Sequence, residues 1–174
     1  DVDVTAMALA ALAPHYSDTS VKAAVDSALR FLSAAQLENG GFKSYGTENS
    51  ESCSQVIIAL TALGADPETD SRFIKNGGNA VSALNGFRKP SGGFSHKVNE
   101  GENEIATVQA FCAETALRCL RSGEGGFYKT KVGALTELNQ ERAEASVSSS
   151  VQSENRNTAE DNKTESTKNK PSAS

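Results

Sequence analysis

A chain of 174 residues is long enough to bury a core of its own, but only 37% of this one is hydrophobic and it contains no Trp. Its formal net charge of -5 is spread over both signs without a cluster of Lys and Arg, which argues against nucleic acid as a partner. No apolar run reaches the roughly 18 residues of a membrane span, so none is predicted.

The apolar deficit is confined to the C-terminal part of the chain. Beyond Leu138 there is no Leu, Ile, Phe, Tyr, Met or Cys, and Ser, Asn, Glu, Thr and Lys dominate. Such a composition cannot bury enough apolar surface to offset the entropy of ordering. We therefore expect residues 1–131 to fold and residues 132–174 to form a disordered tail or stalk.

The first predicted element is a helix over residues 4–13, apolar nearly all round and therefore expected to be buried on most sides. Pro14 ends this helix. Asp18 is a good N-cap for a second helix over residues 19–37, whose apolar residues recur at helical spacing and leave one face in water.

Two more helices are predicted after the first glycine turn. A polar loop leads into a helix over residues 52–63, which Gly64 and Pro67 end. A short helical turn is expected around Phe73, and residues 79–87 are predicted to form the next helix.

The last predicted elements are a helix over residues 105–120 and a weak helix containing Leu135 and Leu138. Glu114 is expected to pair with Arg118 one turn away, on a face in water. The cysteines, Cys53, Cys112 and Cys119, lack the spacing of a metal site and are interpreted as small buried thiols.

One helix sequence occurs three times, at residues 2–12, 53–63 and 107–117. In the second and third copies Gln55 matches Gln109 and Leu63 matches Leu117. Such self-similarity predicts a repeat architecture, with these three copies as inner helices. Three glycine turns separate the repeats: Gly40, Gly41 and Phe42; Gly92, Gly93 and Phe94; and Gly125, Gly126 and Phe127.

The pairing of two helices per repeat with a Gly-Gly-Phe turn and an Ala-rich inner helix resembles the α/α toroid of terpenoid cyclases and protein prenyltransferase β subunits. A similar toroid occurs in vertebrate cobalamin carriers and in modular surface proteins of Gram-positive bacteria, and the polar tail is most similar to the latter. The resemblance implies an all-α, partial α/α toroid at the cell surface or outside the cell, with further repeats upstream.

The resemblance also suggests a class II terpene cyclase as an alternative function. The opening residues, from Asp1 through Ala6, resemble the D-x-D-D-T-A signature, which makes Asp3 the candidate general acid with Asp1 beside it. Val4, however, replaces the adjacent aspartate, and an acid of this strength needs a polar partner. Both aspartates are equally suited to cap the first helix.

A zinc site of the prenyltransferase kind is a further alternative. Glu51 and Cys53 resemble the D-x-C ligand pair of those β subunits, but a third ligand is needed. Neither His15 nor His96 occupies the equivalent place in the next inner repeat. We therefore predict no metal and no cofactor.

The favoured interpretation is a non-enzymatic module that binds a small ligand or a protein partner. The polar segments 43–50 and 95–103 are long for helix connections, and long loops on a rigid scaffold often carry binding. Tyr45, His96 and Tyr128 are the candidate ligand-binding residues, because their side chains are amphipathic.

Overall fold

The computed structural model describes residues 1–124, 127 and 128. This part of the chain is mostly helical, with one two-stranded antiparallel sheet. The α-helices are α1 Val2–Leu12, α2 Thr19–Ala35, α3 Ser50–Ala62, α4 Ala80–Asn85 and α5 Glu104–Arg121. Short 3-10 turns cover Ala13–His15 and Ser71–Phe73, and the strands are β1 Lys43–Ser44 and β2 Thr47–Glu48. Among the described helices, none combines the length and the apolar character that crossing a membrane requires.

Helix α3 lies at the centre of the fold. It packs against α1 on one side and α5 on the other, while α2 packs on α1 and α4 on α3. Ten of its residues are buried, among them the polar side chains of Ser50, Ser52, Ser54 and Thr61. A helix buried all round is the expected centre of a helical row, and the three predicted inner helices form this row.

The largest fully buried side chains of the core are phenylalanines. Phe42 and Phe94, which follow the first two glycine turns, are fully buried together with Phe73 and Phe87. Burying such a side chain contributes about 1.5–3 kcal/mol through the hydrophobic effect. The glycine turns therefore anchor the polar loops to the core.

The first two glycine turns have the same hydrogen bonds. Leu37 N donates to Gly41 O at 2.9 Å in the first turn, and Lys89 N donates to Gly93 O at 2.8 Å in the second. A Cβ on Gly41 would lie 2.4 Å from the Glu48 carboxylate, and one on Gly93 would lie 2.0 Å from Glu102. A glutamate side chain therefore packs on the backbone of each glycine, and a larger residue at either position would displace the end of that side chain.

The residue after each of the two glutamates that pack on a glycine turn is an asparagine, and the next inner helix starts there. Asn49 accepts a hydrogen bond from Ser52 N at 2.8 Å to cap α3, and Asn103 accepts one from Ala106 N at 3.0 Å to cap α5. Such caps satisfy backbone donors that a helix leaves free at its start. The repeat therefore contains a Glu-Asn cap as well as a Gly-Gly-Phe turn.

Several predicted boundaries were wrong by a few residues. Helix α1 begins two residues earlier than expected, and Val4 and Met7 on it are 66% and 57% exposed, so it is not buried on most sides. Helix α4 spans only Ala80–Asn85. The loop after Phe42 contains a small hairpin. Its two-residue strands are too short to produce a recognisable pattern in the sequence.

Three local predictions are corrected by the tertiary structure. Glu114 pairs with Arg88, before the second glycine turn, instead of with Arg118. Asp18 takes the N-cap position of α2, but its side chain makes no capping hydrogen bond. Cys53 is buried, whereas Cys112 and Cys119 on α5 are only half-buried. The predictions on Gly125, Gly126, the last weak helix and the tail lie outside the described residues.

We expect Gly40→Ala to destabilise the fold far more than Gly46→Ala. Both glycines have positive φ, at 88° and 80°, so an alanine at either costs about 1–2 kcal/mol. At Gly40 the new Cβ would also lie 2.4 Å from Asn79 N, in the residue that caps α4, whereas at Gly46 nothing lies within 4 Å. This overpacking adds about 1–3 kcal/mol, to be measured by urea denaturation. Equal losses in the two variants would contradict the proposed packing at Gly40.

Candidate functional site

A cleft of about 320 Å³ opens beside α1 and α3. Met7, Ala10 and Ala11 line it from α1, Gln55 from α3, and Tyr128 from the segment after α5. Residues spaced three and four apart lie on one face of a helix, so the three α1 side chains form one continuous wall. The cleft therefore combines a small-residue apolar wall with one carboxamide and one phenol.

The carboxamide of Gln55 belongs to a pair that joins two inner helices. Its Nε2 donates to Gln109 Oε1 on α5 at 3.0 Å, and both side chains are half-buried. A primary amide offers one acceptor oxygen and two donor hydrogens. Within the described residues Gln55 Oε1 and Gln109 Nε2 make no other hydrogen bond, so a ligand could use both.

Gln109 also lines a second depression, which lies on α5. This depression measures about 400 Å³ and is lined by Glu104, Ile105, Val108 and Gln109. The glutamine pair thus lies where the two depressions approach each other. Its position on equivalent turns of α3 and α5 follows from the sequence repeat, because Gln55 and Gln109 match in the aligned copies.

The three sequence-predicted binding residues do not share the cleft. Tyr128 lines it, with its ring against Phe127 at 5.0 Å between centroids. Tyr45 occupies the turn of the β1–β2 hairpin, where its side chain is 97% exposed. His96 lies in the loop before α5 and is not among the residues that line the cleft.

His96 holds its loop to the start of α3. Its Nδ1 lies 2.9 Å from the Glu51 carboxylate in the first turn of that helix. Ser50 strengthens the same contact, because its hydroxyl donates to Ser95 O at 2.8 Å and its backbone N–H donates to His96 O at 3.2 Å. These bonds explain the position of the loop over residues 95–103 without a ligand.

Glu51 and Cys53, the pair that resembles the prenyltransferase ligands, lie in different environments. Glu51 does meet a histidine, His96, which the repeat spacing did not predict, but Cys53 is fully buried in the core. Burial raises the pKa of the Cys53 thiol to about 12, so the thiol is protonated in the folded core. Among the described residues no three His, Cys, Asp or Glu side chains are grouped to hold a metal ion.

The two N-terminal aspartates have different environments. Asp1 caps α1, because its Oδ1 accepts from Val4 N at 3.2 Å. Asp3 is half-buried, and its Oδ1 is shielded from solvent without a hydrogen-bond partner in the described part of the chain. Val4, in the place of the second aspartate of the cyclase signature, is exposed and gives Asp3 no polar partner.

Comparison with known proteins does not assign this chain to a family. No protein-family model, no curated protein and no solved structure matches this chain.

The sequence alone did not identify the cleft. Met7, Ala10 and Ala11 were interpreted as core residues of an inner helix, since nothing local distinguishes an exposed apolar face from a buried one. The match of Gln55 with Gln109 in the repeat was the one signal of this site in the sequence. A polar residue at the same place in two apolar helices needs a hydrogen-bond partner.

The stability of the protein should fall at high pH through Cys53. The folded-state pKa is raised from 9.0 to about 12, so this group stabilises the fold below pH 9 and loses its contribution between pH 9 and 12. We expect the free energy of unfolding to fall more steeply in the wild type than in Cys53→Ala, by up to about 1.4 kcal/mol per pH unit.

Urea denaturation at several pH values between 8 and 11 measures this difference. Cys119→Ala is the matched control for the loss of a thiol, because Cys119 lies outside the core. Parallel pH curves for the wild type and Cys53→Ala would contradict the burial of this thiol.

Proposed function

We propose that this chain is a non-enzymatic binding module and that its ligand occupies the cleft lined by Met7, Gln55 and Tyr128. The observation that carries the proposal is the glutamine pair at an exposed apolar wall. Binding sites typically combine an apolar lining with a few polar groups that orient the ligand. The ligand class that fits is a small molecule or peptide side chain with an apolar body and one amide or similar polar group.

The chemistry of the lining favours binding over catalysis. Methionine, alanine and glutamine side chains do not titrate, and the described lining contains no carboxylate, imidazole, amine or thiol. General acid–base or nucleophilic catalysis near neutral pH calls for a group poised in that range or activated by a neighbour. The five lining residues offer hydrogen bonds and apolar contact instead.

The arrangement of the helices supports a partial α/α toroid as the scaffold. The repeated copies α1, α3 and α5 lie side by side, and α2 and α4 each follow one copy and pack on it. This is the order expected when helical hairpins are stacked in a repeat protein. Together with the composition of the polar tail, this arrangement supports a module of a secreted or cell-surface protein.

A class II terpene cyclase with Asp3 as general acid is the second candidate. One observation favours it: Asp3 Oδ1 is shielded from solvent and has no hydrogen-bond partner in the described part of the chain, which in a folded protein calls for an explanation such as a catalytic role. Turnover of squalene or geranylgeranyl diphosphate by the purified chain, abolished in Asp3→Asn, would replace the binding proposal. We expect no turnover, because the described cleft offers only Tyr128 as an aromatic face for a carbocation.

Ala11→Trp should block the cleft, whereas Ala34→Trp should not affect it. The probe is N-benzylacetamide, an aromatic ring that carries one amide, titrated into the isotopically labelled chain and followed by nuclear magnetic resonance. At roughly 0.3 kcal/mol per heavy atom, such a small probe should bind with a dissociation constant on the order of millimolar. We expect shifts at Met7, Ala10 and the Gln55 side-chain amide in the wild type.

Ala34 is the matched control because it is an exposed alanine on α2, away from the cleft lining. Loss of the shifts in Ala11→Trp alone supports the proposed site. Shifts that avoid Met7 and Gln55 in the wild type, or that persist in Ala11→Trp, would refute it.

A further inference from the structure

Helix α5 has a second face that the described residues cover only in part, with the ring of Phe94 edge-on against Phe111 at 6.2 Å between centroids. One face packs on α3 through Ala106, Ala110, Ala113 and Leu117. On another face Val108 is 61% exposed and Phe111 is 47% exposed, although both are large apolar side chains. The equivalent region of α3 is buried, since Ser54 and Ile57, which match these two residues in the repeat, are buried. This face of α5 therefore has the character of a surface against which another helix packs.

The charges on this face are arranged symmetrically. Glu104, Val108, Phe111, Thr115 and Arg118 follow one another at steps of four and three residues, so they form a single stripe along α5. Glu104 lies seven residues before Phe111, and Arg118 lies seven residues after it. The stripe thus has a negative end, an apolar centre and a positive end.

Both charged ends are available for a partner. Glu104 and Arg118 are exposed, and neither forms an ion pair with another described residue. The other charges near the stripe are already paired: Glu114 with Arg88, and Arg121 with Asp66 and Glu68. Two opposite, unpaired charges at equal distances from an apolar centre are what a self-complementary surface requires.

We propose that α5 docks against α5 of a second copy of this chain, antiparallel and with the two-fold axis at Phe111. In this arrangement Glu104 of each copy faces the partner's Arg118, and the two Phe111 side chains meet at the centre. Antiparallel packing also places the positive N-terminal end of each helix dipole beside the negative C-terminal end of the other. A second copy of the chain pairs both charged ends of the stripe at once, whereas a partner helix without charges would pair neither.

Charge reversal tests the pairing directly. The mass of the full 174-residue chain is measured by light scattering after gel filtration at a series of concentrations. We expect a dimer for the wild type, at least a tenfold increase in the dissociation constant for E104R and for R118E, and recovery of the dimer in E104R/R118E. The rescue is specific to a contact between these two residues, because each single reversal places like charges opposite one another.

Glu100→Arg is the matched control, since Glu100 is an exposed glutamate that pairs with Lys97 in the loop before α5. It should leave the dimer unchanged. A wild type that stays monomeric overturns the proposal. This includes the case in which another segment of the same chain covers the α5 face. A dimer that neither reversal weakens, or that the double reversal fails to restore, also overturns it.

Cross-linking locates the two-fold axis independently. Phe111→Cys is made in a background where Cys112 and Cys119 are replaced by Ser, which leaves only the buried Cys53. A short bismaleimide should then link two copies through residue 111. Tyr45→Cys in the same background is the control, because the hairpin turn is exposed but distant in the sequence from the proposed contact. Equal cross-linking of the two variants would contradict an axis at Phe111.

Discussion

The backbone bond from each capping asparagine to the phenylalanine of the preceding glycine turn determines the rest of this fold. Asn49 N donates to Phe42 O at 3.3 Å, and Asn103 N donates to Phe94 O at 2.8 Å. Because each phenylalanine is anchored in the core, the bond fixes where the next inner helix starts. The side chains of the same asparagines then cap α3 and α5, so one residue sets both the position and the first turn of a helix.

The placement of the inner helices explains why an apolar surface remains open. Within the described part of the chain, α3 has a neighbour on both sides, whereas each of the helices beside it has a neighbour in the row on only one. Met7 on α1 and Phe111 on α5 are consequently exposed on faces whose equivalents in α3 are buried. In a helical repeat, an inner helix with a neighbour on only one side leaves such a face open. The cleft and the α5 stripe are the two proposed uses.

The sequence predicted the helical class well, because the deciding signals were local. Apolar periodicity and glycine turns located the helices, and the 3-10 turn at Phe73 was found where it was expected. The predictions failed where a long-range contact decided the outcome. Glu114 has a plausible partner one turn away in the sequence, but the fold brings Arg88 to it from the preceding repeat. Exposure of Val4 likewise depends on which helices are present beside α1.

The candidate site was predictable only in part, for the same reason. Tyr128 was selected as an amphipathic side chain and does line the cleft, but His96 is held by Glu51 at the start of α3, and Tyr45 lies apart on its hairpin. The glutamine pair depends on the lateral packing of α3 and α5, which the repeat alignment implies but does not orient. Its two remaining hydrogen-bonding groups became visible only once the helices were placed side by side.

A crystallographic fragment screen of the full chain tests the central claim most directly, because it requires no assumption about the natural ligand. The account predicts that fragments with an apolar ring and one amide collect beside Met7 and Tyr128 and bond to Gln55 or Gln109. Fragments that occupy other depressions while this cleft stays empty across the screen would contradict the assignment of the binding site.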